Sequence, residues 1–507
     1  MEENICRLEE EFMNYVNKMA AFKEALSLIT WDMRTGAPEA GMKQRANVIG
    51  ALSSEIFRMS TSEEMAAYIA IITKKEVNGR LSPVTKKTAD HCKKEYERNR
   101  RIPPDKHKEY VILRSKAETV WQEAKRKADF EKFRPWLEKL VEFNKYFIDC
   151  WGYRGNKYNT LLDLYEPGMT VDILDQVFAE IRRKIIPLVK AIARSPVKPN
   201  ENILFRYFPK ERQKVFCEEL LKQIGYDFAG GRLDTSAHPF TAGINPGDVR
   251  ITTKYDERDF RTAVFSAIHE GGHALYEQNI AGELVGTPLC TGTSMGIHES
   301  QSLFYENFIG RNYHFWKRNF GLLNECSGGL FTDLSLDDFY LAINVVRPSL
   351  IRIEADELTY TLHIIIRYEI EKALFNEEIH VAELPEFWRE KYEKYLGVTP
   401  EHDGEGVLQD IHWASGSFGY FPSYALGFIY GAQFKQALMK DLPQFDQLLR
   451  EGNLLPVKRW FNRKVHQFGK MKEPLELVKD ATGEDLNPAY FIDYLEKKYS
   501  ALYRLSS

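Results

Sequence analysis

His269-Glu270-Gly271-Gly272-His273 places two imidazoles four residues apart with a carboxylate between them. On an α-helix, positions four apart lie one above the other on the same face, so both rings reach a single ion. Glu270 then stands where it can hold and deprotonate a water activated by that ion. With 12 His and 73 acidic residues in 507, random order gives roughly 0.04 such matches per chain. Phe260, Val264, Ala267, Ile268 and Leu275 recur at helical spacing around the motif, from a capping-type Asp256 to about Asn279. A buried helix with incidental histidines is the alternative, and the metal site is the better reading.

Catalytic zinc takes three protein ligands and leaves one position open. Tyr276 and Asn279 occupy the positions where a longer HExxHxxGxxH pattern would have Gly and a third His. Glu277 is geometrically poor: each four-residue step along a helix advances about 6 Å, so His269, His273 and Glu277 would span about 12 Å. Bonds near about 2 Å cannot gather all three onto one ion, so the ligand should come from a second, packed helix. The stretch Met295 to Asn312 supplies one, with an apolar face of Ile297, Leu303, Phe304, Phe308 and Ile309. It carries Glu299, the expected third ligand, and Glu306 two turns further on, which could orient a histidine by hydrogen bonding. His298 points about 100° away from Glu299 and reads as structural. Gly271 and Gly272, each worth about 1 kcal/mol less than Ala inside a helix, imply a close approach by substrate or by another backbone.

The elements that must position these groups are mostly helical. Leu8 to Ile29, Ala46 to Phe57, Val111 to Trp136 and Phe143 to Trp151 carry apolar residues at three- and four-residue intervals with charged residues between. From Tyr226 to Tyr255 the texture changes. Gly230, Gly231, Pro239, Gly243, Pro246 and Gly247 interrupt helix, and Val249 to Tyr255 alternates as a half-exposed strand does. The expected architecture is one body over residues 1–507: a helical region 1–225, a loop and strand region 226–255, and a helical region 256–507 bearing the metal site. A small antiparallel sheet is expected beside the HExxH helix.

Hydrophobic residues make up 44% of the chain and the net charge is −4. That supports a large core and gives no basic stripe for nucleic acid and no polybasic membrane patch. The start, Met1-Glu2-Glu3-Asn4, lacks a signal-peptide pattern, and no apolar run reaches membrane-span length. Cys6, Cys92, Cys150, Cys217, Cys290 and Cys326 show no CxxC spacing; free thiols and a cytoplasmic protein are expected.

Several motifs together resemble the thermostable carboxypeptidase family, zinc-dependent HExxH enzymes of bacteria and archaea. They are His238-Pro239-Phe240, Asp248-Val249-Arg250-Ile251-Thr252, the HExxH itself and His298-Glu299-Ser300-Gln301. Ile351 to Asp356 and Gly406 to Trp413 follow, and Thr30-Trp31-Asp32 and Gly36-Ala37-Pro38 extend the likeness toward the N-terminus. The resemblance implies removal of single amino acids from peptide C-termini with broad specificity. It also implies a helical fold with a deep substrate groove, a homodimer, and one zinc ion per chain that cobalt can replace.

Peptide hydrolysis also needs donors for the developing oxyanion. His412, Tyr420 and Tyr424 lie in a Gly- and aromatic-rich run. Tyr420 and His412 are the expected catalytic donors and Tyr424 a substrate contact, with core packing as the alternative. His238 is expected to bind the substrate backbone or, alternatively, to cap a loop. A terminal carboxylate calls for arginine. Arg250 is expected on one face of the strand, and Arg352 on a helix opened by Pro348, four residues before Asp356. Taken alone, Arg352 could simply pair with Asp356; the family pattern favours carboxylate binding for both arginines. The rival activities are an endo-acting metallo-oligopeptidase, which uses the same core, and a non-catalytic helical protein with a structural metal, for which Glu270 would have no purpose.

Overall fold

The computed structural model describes residues 2–505 as a predominantly helical assembly with one three-stranded sheet. Helices begin and end where local chemistry directs. Ser82 accepts the backbone N–H of Thr85, and Pro83 opens the helix Pro83–Arg100. Gly225, left-handed at φ 96°, closes Lys210–Ile224. The charged stretch expected to run from Val111 to Trp136 is divided, because Ala128 turns left-handed and Asp129 caps a new helix, Phe130–Trp151. The N-terminal helices enclose a small apolar interior of their own, including Phe12, Val16, Met59 and Ile72. A much larger interior runs from Tyr110 to Tyr503.

The sheet is mixed rather than wholly antiparallel. β1 (Leu233–Thr235), β2 (Thr241–Asn245) and β3 (Asp248–Thr253) lie in the order β1-β3-β2. The chain reverses once through the His238-Pro239-Phe240 segment and again at Pro246-Gly247. After two reversals β3 runs parallel to β1 and antiparallel to β2, and it fills the centre. Being central, β3 is also more deeply buried than an alternating strand: Val249, Ile251, Thr252 and Thr253 are all buried.

The HExxH helix spans Arg261–Glu277. Asp256 does not cap it; its Oδ1 accepts the N–H groups of Arg258 and Asp259 in the preceding turn. The second helix is shorter than its pattern suggested. Met295–Leu303 is α-helical, and Phe304–Gly310 continues as a π-helix, a geometry often found at functional sites.

Gly271 and Gly272 answer to helix packing. A β-carbon on Gly271 would come within 2.7 Å of Leu221 on the neighbouring helix Lys210–Ile224. On Gly272 it would lie 2.5 Å from the carbonyl oxygen of Gln301 and 2.7 Å from the Cα of Ser302. The second contact is backbone on backbone and cannot be relieved by a rotamer change. Gly272→Ala is therefore expected to destabilise the protein by about 1–3 kcal/mol and to weaken metal binding in parallel, as read by denaturant unfolding and zinc titration. Unchanged stability and affinity would show that the two helices have room to separate.

Candidate metal centre and active site

The close approach at Gly272 brings the Met295–Leu303 helix against the two histidines. Glu299 Oε2 lies 3.3 Å from His273 Nε2 and 3.9 Å from His269 Nε2. His269, His273 and Glu299 offer donor atoms that all fall within 4.8 Å of one another. A third helix, Pro422–Asp441, presses on this point from the other side: a β-carbon on Gly427 would be 2.7 Å from Glu299 Cγ. The helix that carries Glu299 is thus held between two helix surfaces that lack side chains at the contact.

The outer nitrogens of both rings are engaged. His269 Nδ1 meets Glu306 Oε2 at 2.9 Å, as expected from the position of Glu306, and Arg311 holds the other carboxylate oxygen at 3.2 Å. His273 Nδ1 lies 2.6 Å from His298 Nδ1, and His298 Nε2 lies 2.8 Å from Glu277 Oε1. The bonding pattern assigns the tautomers. His298 donates from Nε2 to Glu277 and accepts at Nδ1 from His273, while His269 donates from Nδ1 to Glu306. Both inner Nε2 lone pairs are then free for a cation. Glu277 stays outside the cluster, as the helix-rise argument required. His298, however, orients His273, a role that its sequence direction did not reveal, because the link runs through a neighbouring helix. Burial opposes ionisation of Glu277, yet bonds from His298, the Gly292 N–H and Thr291 keep its pKa below the ordinary value.

These surroundings suit a divalent ion. Burial disfavours a charged His269, but Glu306, Glu299 and Glu270 outweigh it and push its pKa up to about 10. The pocket stabilises positive charge at the point where the Nε2 atoms converge, and the two-imidazole, one-carboxylate donor set fits a catalytic zinc site. Glu270 is positioned by a residue that sequence reasoning passed over. Thr241, on β2 and directly after His238-Pro239-Phe240, donates its hydroxyl to Glu270 Oε2 at 2.6 Å. Only the packing of the sheet on the HExxH helix reveals this contact.

The Gly406 to Trp413 motif is a hydrogen-bonded hub. Arg352 does not pair with Asp356. Its Nε and Nη2 both bond to Asp410 Oδ1, at 3.0 and 2.8 Å, and Nη1 donates to Tyr360 at 2.8 Å. Asp410 Oδ2 takes Arg367 Nε at 2.7 Å. Burial opposes charge on Asp410, but Arg367 and Arg352 hold its pKa far below the usual carboxylate range. Asp356 instead caps the backbone at Leu358 and Thr359 and accepts from Arg347 N–H. Arg352 also sits in a short 3-10 turn, Arg352–Glu354, rather than on a longer helix. Its guanidinium carbon lies 5.0 Å from the centre of the Tyr424 ring, and two of its five N–H groups remain available.

Among the other expected site residues, His412 Nε2 is 3.2 Å from the Tyr424 hydroxyl, and its Nδ1 has no hydrogen-bond partner. Tyr420 packs beside both, with ring centres 5.5 and 5.1 Å away, and edge-on against Tyr165 at 5.0 Å. Glu371, fully buried, accepts from Trp413 Nε1, Gly419 N–H and Tyr158, which fixes the loop carrying this cluster. Arg250 forms a two-pronged pair with Asp248 at 2.8 Å and lies 5.8 Å from the Trp31 ring centre. His238 is exposed, and its carbonyl accepts the Ser236 hydroxyl. Neither Arg250 nor His238 bonds to the metal-centre side chains. All six cysteines are unpaired, and among the described residues no helix is long and apolar enough to cross a membrane.

Two measurements test this centre. Glu299→Ala should abolish stoichiometric zinc binding, whereas Glu277→Ala should keep the three donors and lower zinc affinity by about 10–100-fold through loss of the His298 bridge. Chelator competition separates the two, and a reversed order would exchange their roles. The second concerns pH. Burial, with Arg352 and Arg367 nearby, outweighs Asp410 and pushes the pKa of His412 down to about 4, so the ring is neutral at neutral pH. Any fall in kcat/KM between about pH 7 and 5 should persist in His412→Gln, and its disappearance there would show that this ring titrates.

The comparisons with known proteins agree with this arrangement. Residues 11–499 match the family described as carboxypeptidase Taq (M32) metallopeptidase. The chain is 56% identical to carboxypeptidase 1 of Bacillus subtilis, over 98% of this chain and 99% of that protein. It is 40% identical to thermostable carboxypeptidase 1 of Thermus thermophilus, over 97% and 98%. The solved M32 carboxypeptidase of Deinococcus radiodurans superposes with a TM-score of 0.95 at 32% identity, covering 98% of this chain and 100% of that one. The Glu270-bearing HExxH helix, a third donor group from a second helix, and likeness over nearly the whole length lead to one conclusion: this chain belongs to the carboxypeptidase Taq (M32) metallopeptidase family and is a metallocarboxypeptidase.

Proposed function

We propose that the protein releases single amino acids from the free C-termini of peptides with broad side-chain tolerance, using one zinc ion per chain held by His269, His273 and Glu299. The observation that carries this reading is the convergence of those three donors beside Glu270, whose carboxylate is held by Thr241. Zinc, when bound, supplies Lewis acidity that polarises the scissile carbonyl and lowers the pKa of water. Cobalt could fill the same donor set.

Glu270 takes the proton from the attacking water and passes it to the departing amine nitrogen. Tyr420 and His412 donate to the oxygen on which negative charge develops. Tyr420 is suited to this because burial, together with the charge of Glu299, pushes its pKa up to about 12, so its hydroxyl keeps its proton. Its hydroxyl lies 4.0 Å from Met295 Sδ, a weak contact that a substrate oxygen can displace. The two free N–H groups of Arg352 suit a terminal carboxylate, with the Tyr424 ring stacked beside the guanidinium and its hydroxyl on His412. Arg250 and His238 serve the substrate backbone and carboxylate from the sheet side. Family likeness supports a homodimer, and the six unpaired cysteines support a cytoplasmic location.

Glu270→Gln is nearly isosteric but cannot accept the proton, so zinc should stay bound while turnover falls by several orders of magnitude. A comparable rate in the variant would remove Glu270 from the mechanism. Exopeptidase character is tested with free-acid and amidated peptides. Arg352→Ala and Arg250→Ala should each lower kcat/KM for acids by about ten- to a hundredfold and lower it much less for amides. Equal losses on both, with the fold intact, would make the arginines structural. Mass spectrometry of a mixed peptide digest distinguishes stepwise C-terminal trimming from internal cleavage by an oligopeptidase.

A further inference from the structure

Glu166 lies far from the metal motifs in sequence, in the loop that follows the short helix Asn159–Leu162, and is 2% exposed. Among the described residues no lysine or arginine pairs with it. Its carboxylate is instead filled by three donors from two helices. Oε1 accepts the Ser294 hydroxyl at 3.0 Å and the Tyr430 hydroxyl at 2.9 Å; Oε2 accepts the Gly296 N–H at 2.9 Å. The preceding carbonyl, of Tyr165, accepts the Met295 N–H at 3.0 Å. Ser294 in turn accepts the Ile297 N–H at 3.1 Å. The first three N–H groups of the Glu299 helix, which would otherwise lack partners, are thus all satisfied, and the Glu166 carboxyl sits at the positive end of the helix. Gly296 has no room for a side chain: a β-carbon there would meet Glu166 Oε2 at 2.6 Å.

Both anchoring points are one turn from the metal ligand. Gly296 precedes Glu299 by three residues, and Tyr430 follows Gly427, the glycine pressed against the Glu299 side chain, by three. The same loop presents the Tyr165 ring to Tyr420. We propose that Glu166 is a positioning residue for the metal centre: a buried carboxylate clamp that sets the rotation and register of the Glu299 helix against Pro422–Asp441, and so aims the Glu299 carboxylate at the two histidines. Burial pushes its pKa up to about 7 against the pull of its three donors.

The inference rests on Glu299 being a ligand, and the test separates the two. Glu166→Gln keeps the shape but, with its amide oxygen on the Gly296 N–H, turns an N–H₂ toward the Ser294 and Tyr430 hydroxyls and reverses the direction of both bonds. Tyr430→Phe removes one donor and is the milder variant should the first fail to fold. Each is purified and loaded with Co²⁺ or Zn²⁺. The visible absorption of the cobalt form should change shape, because the ligand geometry has shifted. Zinc affinity by chelator competition should fall by about 10–100-fold, with kcat falling more than KM. Glu166→Asp should recover part of the spectrum and affinity. A lowered melting temperature of the metal-free protein with unchanged cobalt spectrum and zinc affinity would make Glu166 a fold element only and overturn the proposal. Glu299→Ala is run in parallel. If it leaves the cobalt spectrum unaltered, the ligand assignment fails, whatever Glu166 does.

Discussion

Glu299 meets the two histidines through a double contact between helices that have no β-carbon at the point of crossing. Gly272 lets the backbone at Gln301 and Ser302 approach the HExxH helix, and Gly427 makes room for the Glu299 side chain against Pro422–Asp441. Any side chain at either position would force its neighbour away by roughly 1 Å to reach ordinary contact. Packing at this density is unforgiving. The convergence of donors within 4.8 Å therefore depends on steric absence as much as on ligand identity.

Around that crossing, buried charge is handled in two ways. Asp410 is neutralised by Arg352 and Arg367 and draws Gln409, Tyr360 and Tyr392 into one network. Among the described residues, Glu166 and Glu371 form no ion pair. Each relies on three neutral donors, and burial pushes each pKa up to about 7. A buried carboxylate of this kind is a poor source of stability, because desolvation opposes it. What it supplies is direction: its oxygens fix several separate segments at once. Glu166 joins the ligand helix to its neighbour, and Glu371 holds the loop bearing Trp413 and Gly419 beside His412 and Tyr420.

The cluster of His269, His273 and Glu299 was legible because its parts obey local geometry. The i, i+4 histidines share a helix face, the rise per residue excluded Glu277, and the periodicity of Met295 to Asn312 identified a second helix with Glu299 and Glu306 on one side. Composition and helical spacing likewise indicated a mainly helical body. The reading of Arg352 differed where its helix and partners were concerned. Arg352 and Asp356 stand at ion-pair spacing for a helix, yet the segment is a 3-10 turn and Asp410 takes the guanidinium. The direction of the first strand in the sheet could not be read either, since pairing order depends on which strand fills the centre.

By itself, then, the sequence determined the chemistry: which residues can hold a cation, which carboxylate can act as base, and the helices that carry them. These follow from side-chain type and from the short-range periodicity of a hydrogen-bonded backbone. Tertiary structure alone decided the supporting contacts, among them Thr241 on Glu270, His298 between His273 and Glu277, and Glu166 beneath the ligand helix. Each joins residues separated by tens or hundreds of positions. A hydrogen bond depends on distances of a few tenths of an ångström, and those are fixed only when the helices pack.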